Sequence, residues 1–149
     1  MEGNKAAMKN TPLFNVPQTI LLITNDAEIR NVCESYYAHE NYQTITESTP
    51  LDGLQTSRLL APAMILLDLD LPNDELLKLC SELRTTTNGT LLLILPQSHA
   101  ISVSEYLSVG VDECISRPVN LMALLIKSIT WLARQDWIVP RRQISLANS

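Results

Sequence analysis

The chain has only four glycines among its 149 residues, and no two of them lie close together. Loops that cradle phosphates need clustered glycines, because a backbone without Cβ atoms can approach a phosphate closely. Neither a dinucleotide-binding Gly-x-Gly-x-x-Gly loop nor a Walker loop is present, and the Gly-x-Ser-x-Gly turn of serine hydrolases is missing too. These absences argue against nucleotide binding and hydrolysis, and we expect the protein not to be an enzyme.

Cysteine and histidine are also scarce, with three of the first and two of the second. The cysteines form no Cys-x-x-Cys pair, which predicts free thiols rather than disulfides or zinc ligands. Neither histidine has another ligand type at metal-binding spacing. We therefore expect no cofactor and no transition-metal site.

Positive charge is limited, since the formal net charge is -5 and the densest basic stretch is the pair Arg141–Arg142. A surface that binds nucleic acid needs clustered lysine and arginine to neutralise phosphates, so direct binding to nucleic acid is not expected. No apolar run reaches the roughly 18 residues that span a bilayer, and the chain does not start with an apolar signal segment. The sequence thus predicts a cytoplasmic protein without a membrane part.

The sequence does contain short apolar runs that alternate with segments of helical periodicity. The predicted strands are 19–24, 42–46, 63–69, 90–95 and 113–116, and the predicted helices are 26–39, 50–60, 74–85, 98–109 and 120–135. In the second of these helices, Leu51 and Leu54 are expected to face inward. This alternation predicts a three-layer α/β domain, with a five-stranded parallel, doubly wound sheet and five helices on its two faces. The domain is expected to span residues 19–135, after a flexible segment 1–18 and before a tail or truncated linker 136–149.

The third predicted strand carries the most informative stretch, MILLDLDLP, in which an apolar run ends in Asp68 and stops before Pro72. The carboxyl ends of parallel strands form the ligand crevice of open α/β sheets. A carboxylate at that point either caps a loop or takes part in function.

Three motifs in this order resemble the receiver domain of bacterial two-component response regulators: ILLITNDAEIR, MILLDLDLP, and the GVDE and ISRPV segments near the fifth strand. The resemblance covers roughly residues 18 to 135. It implies that Asp68 is the position to which a histidine kinase passes a phosphoryl group in a phosphorelay. It also implies that Mg²⁺ is needed, because an anionic carboxylate attacks an anionic donor.

The positions that would hold the metal depart from the family pattern. The acidic pair that ends the first strand in the family corresponds to Thr24 and Asn25, which are both neutral. Asp26 follows directly, and we interpret it as the N-cap of the first helix. If a cation is bound at all, its candidate ligands are Asp26, Asp68 and Asp70, so Mg²⁺ is expected only for a conventional receiver.

The positions that sense the phosphoryl group depart as well. Leu95 stands where the family has a hydroxyl residue, Arg117 stands for the lysine, and Cys114 replaces the aromatic switch residue. We predict that Arg117 pairs with Asp68 and takes the place of metal and phosphoryl group. The resemblance also marks the bond before Pro118 as a candidate cis peptide.

The leading interpretation is an atypical receiver, or pseudo-receiver, with impaired Mg²⁺-dependent phosphorylation that acts through protein contacts. One alternative is a conventional receiver phosphorylated on Asp68 by a histidine kinase. A second is a flavodoxin-like module that binds a small molecule in the crevice.

Exposed apolar residues on the fourth and fifth helices predict a homodimer through these helices and the fifth strand, besides contacts with a histidine kinase or a downstream signalling protein. The alternative is that the chain's own tail, around Trp137, covers this flank. The interface candidates are Ile101, Tyr106, Met122, Ile126 and Ile129.

Overall fold

The computed structural model describes residues 18–97 and 103–148, with side chains up to residue 134. Five strands and five helices alternate along this described part of the chain. Their bounds are β1 Thr19–Thr24, α1 Ala27–His39, β2 Gln43–Glu47, α2 Pro50–Leu60, β3 Met64–Asp68, α3 Asn73–Arg84, β4 Thr90–Ile94, α4 Val103–Ser108, β5 Glu113–Ile115 and α5 Leu121–Asn148. Residues 1–17 of the predicted flexible segment and the predicted start of the fourth helix at 98–102 lie outside the described residues.

The five strands form one parallel sheet in the order β2-β1-β3-β4-β5. The predicted doubly wound α/β fold is therefore confirmed. In the register of the central strands, Thr24 at the end of β1 lies opposite Asp68 at the end of β3. This register brings the two residues to the same carboxyl edge of the sheet.

The core consists of two apolar clusters, one on each face of the sheet. Along β1, Leu21 and Ile23 point to the cluster beneath α2, α3 and α4, whereas Ile20 and Leu22 point to the cluster beneath α1 and α5. All four side chains are fully buried. Apolar residues on both faces are what a parallel sheet covered by helices requires, which explains the continuous apolar runs in the sequence.

Helix α2 has the predicted bounds but a different orientation at its start. Thr49 caps it and Pro50 occupies its first turn, as the sequence indicates. Leu51, which was expected to face inward, is 62% exposed. The reason is that α2 approaches the sheet at Gly53, where an added Cβ would lie 2.6 Å from Ile23 Cδ1, and a residue two positions away points to the opposite side.

Helix α5 extends beyond the predicted end at Gln135 and continues to Asn148. Pro140 lies within this helix, although proline is generally disfavoured in a helix interior. The surrounding arginine, glutamine, leucine and alanine residues favour a helix instead. Residues 136–148 of the segment predicted as a tail or truncated linker thus continue the last helix.

The amino-terminal edge of the sheet is held by Arg84 at the end of α3. Its guanidinium donates to the carbonyl oxygens of Thr87 (2.7 Å), Gly89 and Gly110 (3.0 Å) and pairs with Asp112 (3.2 Å). Gly110 has φ +113, and a Cβ at this residue would lie 2.3 Å from Arg84 Cδ. Glycine is therefore required at position 110 by both its backbone conformation and the close arginine.

Candidate functional site

The candidate site lies at the carboxyl edge of the sheet, around the last residue of β3. Asp68 is only 5% exposed although it is a carboxylate. Buried carboxylates need partners, because an unpaired charge away from water is costly.

Both carboxylate oxygens of Asp68 have a partner. Oδ1 forms an ion pair with Arg117 Nη2. Oδ2 accepts a hydrogen bond of 2.7 Å from the Thr24 hydroxyl. The predicted pairing of Asp68 with Arg117 is thus confirmed, whereas the Thr24 contact was not foreseen.

Arg117 also contacts the end of β4. Its Nε donates to the main-chain oxygen of Leu95 at 2.9 Å, so one guanidinium connects β3, β4 and the segment after β5. The peptide bond between Arg117 and Pro118 is cis, as predicted. The planar guanidinium group has several N–H donors in fixed directions, so it can bind the Leu95 oxygen and the Asp68 carboxylate at the same time. The ammonium group of a lysine is a compact charge without such fixed directions.

Asp26 is the N-cap of helix α1. Its Oδ1 accepts hydrogen bonds from the main-chain amides of Glu28 (2.8 Å) and Ile29 (3.0 Å), which confirms the predicted N-cap. Its own amide donates to Thr24 Oγ1 at 2.9 Å. Thr24 therefore connects the cap of α1 with Asp68, while Asn25 and Asp70 are exposed.

The remaining two candidate positions are apolar in their contacts. Leu95 is 1% exposed and belongs to the core cluster beneath α3 and α4. Cys114 is half-buried and packs against the same cluster. Burial raises the pKa of the Cys114 thiol to about 11, so this side chain stays uncharged near neutral pH. All three cysteines are free thiols, as predicted.

An open pocket of about 450 Å³ lies next to Arg117. The N-cap and first turn of α1 line one side of it, and the segment that leads into α5 lines the other. Its lining residues are Asp26, Glu28, Ile29, Arg117, Val119, Asn120 and Leu121.

A family model for the response regulator receiver domain matches residues 20–129, which is most of the chain. The chain belongs to the response regulator receiver domain family. Of the alternatives considered above, the match supports a receiver domain of two-component signalling and not a flavodoxin-like module that binds a small molecule.

A curated relative of the receiver domain is the response regulator ArlR of Staphylococcus aureus (strain Mu50). It is 28% identical over 116 residues, which cover 78% of this chain and 53% of ArlR. The chain therefore spans about half the length of the curated relatives it matches.

Solved receiver structures share the fold. The response regulator receiver domain protein (CheY-like) from Methanospirillum hungatei JF-1 has a TM-score of 0.70 at 23% identity, covering 81% of this chain and 98% of that chain. The receiver domain of the TMAO respiratory system response regulator TorR has a TM-score of 0.68 at 23% identity, covering 79% and 98%. The BeF3-activated DrrB receiver domain has a TM-score of 0.65 at 21% identity, covering 79% and 99%.

The receiver domain exposes apolar side chains on α4 and α5, the two helices that contact β5. Leu107 is 44% exposed on α4, and Met122 (66%) and Ile126 (58%) are exposed on α5. Together with Val103 they form what we call the α4–β5–α5 surface. None of the helices in the described ranges is long and apolar enough to cross a membrane.

Three interface candidates need comment. Tyr106 was expected at this surface, but it is fully buried, because it lies about 100° around α4 from the exposed Leu107. Ile129 is half-buried and packs against the cluster beneath α1 and α5. Ile101 lies outside the described residues.

Sequence reasoning missed a charged cluster that connects β5 to α5. Glu113 accepts hydrogen bonds from Lys127 Nζ and from Trp131 Nε1, the latter at 2.7 Å, and the Arg134 guanidinium lies 4.4 Å from the centre of the Trp131 ring. Burial alone would raise the pKa of Glu113, but these two hydrogen bonds lower it below the ordinary value. The four-residue spacing from Lys127 to Trp131 was the available signal, since it puts both on one helix face.

Proposed function

We propose that this receiver domain is an atypical one, in which Mg²⁺-dependent phosphorylation of Asp68 is impaired and the function is carried by protein–protein contacts. The observation that carries the proposal is the engagement of both Asp68 oxygens, one by Arg117 and one by Thr24. A carboxylate that attacks phosphorus needs a free oxygen and a geometry in line with the leaving group. In this domain, Arg117 would have to move away from the buried Asp68 before the carboxylate could attack.

The oxygens at this edge of the sheet are a poor match for Mg²⁺, which supports the proposal. Mg²⁺ takes oxygen ligands in near-octahedral geometry and gives up its water reluctantly, so it favours carboxylates. Asp26 uses its carboxylate to cap α1, and Thr24 and Asn25 carry no charge. The proposed function therefore does not depend on a bound metal ion.

The proposal is tested by incubating the protein with Mg²⁺ and either acetyl phosphate or beryllofluoride, followed by intact mass measurement. We expect no stoichiometric adduct on the wild type. The matched gain-of-function variant is Thr24→Asp/Asn25→Asp/Arg117→Lys, which provides an acidic pair and a compact ammonium and should form an adduct. A stoichiometric wild-type adduct that is lost in Asp68→Asn would instead establish a conventional, phosphorylated receiver.

Receiver domains interact with kinases or with other proteins, and we propose that this one forms a homodimer through its α4–β5–α5 surface. Exposed apolar side chains on both helices support the proposal, because such residues gain stability when they are removed from water. The charges of Glu113 and Lys127 already satisfy each other within one copy. Docking here would therefore not leave these charges unpaired.

Sedimentation or light scattering tests the dimer. Ile126→Asp should produce a monomer, because it places a charge in the proposed contact. Leu59→Asp is the matched control, since Leu59 is an exposed leucine (82%) on α2 and should leave the assembly unchanged. A wild type that is monomeric at high concentration would exclude the dimer.

A cytoplasmic location and the lack of nucleic-acid binding stay predictions.

A further inference from the structure

In the described ranges, helix α4 has a single buried side chain. Of the six residues from Val103 to Ser108, only Tyr106 is buried, and its exposed fraction is 0%. In proteins, most of the stability of a helix comes from packing its apolar face rather than from helix propensity. The position of α4 therefore depends on what Tyr106 contacts.

Tyr106 contacts two parts of the domain. Its ring lies in the core cluster with Leu95 and Val111, against which Cys114 also packs. Its hydroxyl donates to Asn73 Oδ1 at 3.3 Å, at the first residue of α3 and shortly after the β3 terminus. Burial, more than the neighbouring thiols, raises the pKa of the phenol, which stays protonated and able to donate.

The main chain of Tyr106 has a second role. Its carbonyl oxygen accepts hydrogen bonds from the amides of Val109 and Val111, both at 3.2 Å. These bonds end the helix and lead the chain into β5. Side chain and backbone of one residue thus set both the depth of α4 and the path to the next strand.

We propose that Tyr106 is the positioning residue of the α4–β5–α5 surface. Its buried ring holds α4 against the sheet, and its hydroxyl ties this helix to the start of α3. The significance of the surface rests on the proposed function, but the anchoring of α4 does not. Loss of the anchor would move Val103 and Leu107, which lie on the same short helix.

Site-resolved amide hydrogen exchange of the full chain, at concentrations too low for self-association, tests the anchor directly. Tyr106→Ala should increase exchange in 103–109 by about tenfold or more and leave β1 and β3 amides unchanged, because only the local opening is affected. Tyr106→Phe keeps the ring and should restore protection to within about threefold. Leu107→Ala is the control on the exposed side of the same helix and should have no effect.

The alkylation rate of Cys114 is a second test, which can be used if Tyr106→Ala does not fold. Tyr106→Leu retains apolar volume, and its cavity should increase the alkylation rate of Cys114 relative to wild type. Cys33 is the internal control, because it is fully buried in the opposite cluster. The proposal is overturned if exchange in 103–109 stays within about twofold of wild type for every Tyr106 variant, or if Leu107→Ala has an equal effect.

These results are independent of the proposed function. A domain that proves monomeric, or that is phosphorylated on Asp68, would still show the expected exchange pattern. Conversely, normal exchange in the Tyr106 variants would remove the anchor and leave the dimer and adduct experiments unaffected.

Discussion

Two arginine–aspartate pairs hold the two edges of this sheet, and they differ in what else each arginine contacts. At the amino-terminal edge, Arg84 pairs with Asp112 and also donates to three main-chain carbonyl oxygens. At the carboxyl edge, Arg117 pairs with Asp68 and donates to one carbonyl oxygen, that of Leu95.

The pairs also differ in the burial of the acid. The side chain of Asp112 is 27% exposed, whereas that of Asp68 is 4% exposed. The first pair organises main chain through both of its members, because Asp112 Oδ2 also accepts a hydrogen bond of 2.8 Å from the Leu91 amide. The second mainly neutralises a buried carboxylate, so the two charges depend on each other. The same residue types therefore serve architecture at one edge and occupy the candidate site at the other.

The largest expected effect is that of removing the architectural arginine. Arg84→Ala leaves several carbonyl oxygens without a donor and should lower the free energy of unfolding by about 3 kcal/mol. Arg117→Ala should cost less, about 2 kcal/mol, because it removes one ion pair and one main-chain hydrogen bond while Asp68 keeps the hydroxyl of Thr24 as a donor. Urea unfolding of both variants at neutral pH measures the difference, and a larger loss for Arg117→Ala would contradict the comparison.

Removing the charge of the aspartate in each arginine variant should show a further difference between the two pairs. In Arg117→Ala the buried Asp68 is left with one hydroxyl donor, so adding Asp68→Asn removes the unpaired charge and should recover about 1 kcal/mol. Adding Asp112→Asn to Arg84→Ala should recover little, because the carbonyl oxygens remain without donors. Equal recovery in both double variants would show that the two pairs are equivalent.

The smallest expected effect comes from the peripheral pair of Glu113 and Lys127. The pKa of Glu113 is lowered in the folded state, so its contribution to stability is present above the unfolded pKa and is lost as pH falls through the folded pKa. Because the pair is partly exposed, we expect less than about 1 kcal/mol. Wild type should lose stability below about pH 5 more steeply than Glu113→Gln, as measured by urea unfolding.

The parallel, doubly wound sheet and the contact between Asp68 and Arg117 could both be predicted from the sequence. Strands that alternate with helices must be parallel, and the carboxyl ends of parallel strands meet at one edge. Asp68 ends β3 and Arg117 follows β5, and the resemblance to receiver domains implies that these two side chains lie opposite each other. Thr24 was interpreted only as a neutral residue at an acidic position of the family. Its hydrogen bond to Asp68 could not be predicted, because the acceptor of a hydroxyl group depends on the side-chain rotamer and on the strand register.

Helix orientation and helix ends were predicted less well. Leu51 and Tyr106 were assigned to the wrong environments, because periodicity gives the spacing of a stripe but not which stripe meets the sheet. The close approach at Gly53 decides the first case. The contact between Tyr106 and Asn73 joins residues distant in sequence, so only the tertiary structure reveals it.

The glycine at position 110 has a consequence for engineering this domain. Its backbone conformation and the nearby Arg84 side chain leave no room for a Cβ, so a substitution there would displace the arginine that holds the amino-terminal edge. The connection between α4 and β5 is therefore an unsuitable place for an inserted tag, a fluorescent reporter or new termini, although it lies in a loop. Such insertions should be better tolerated where the backbone is exposed and makes few hydrogen bonds.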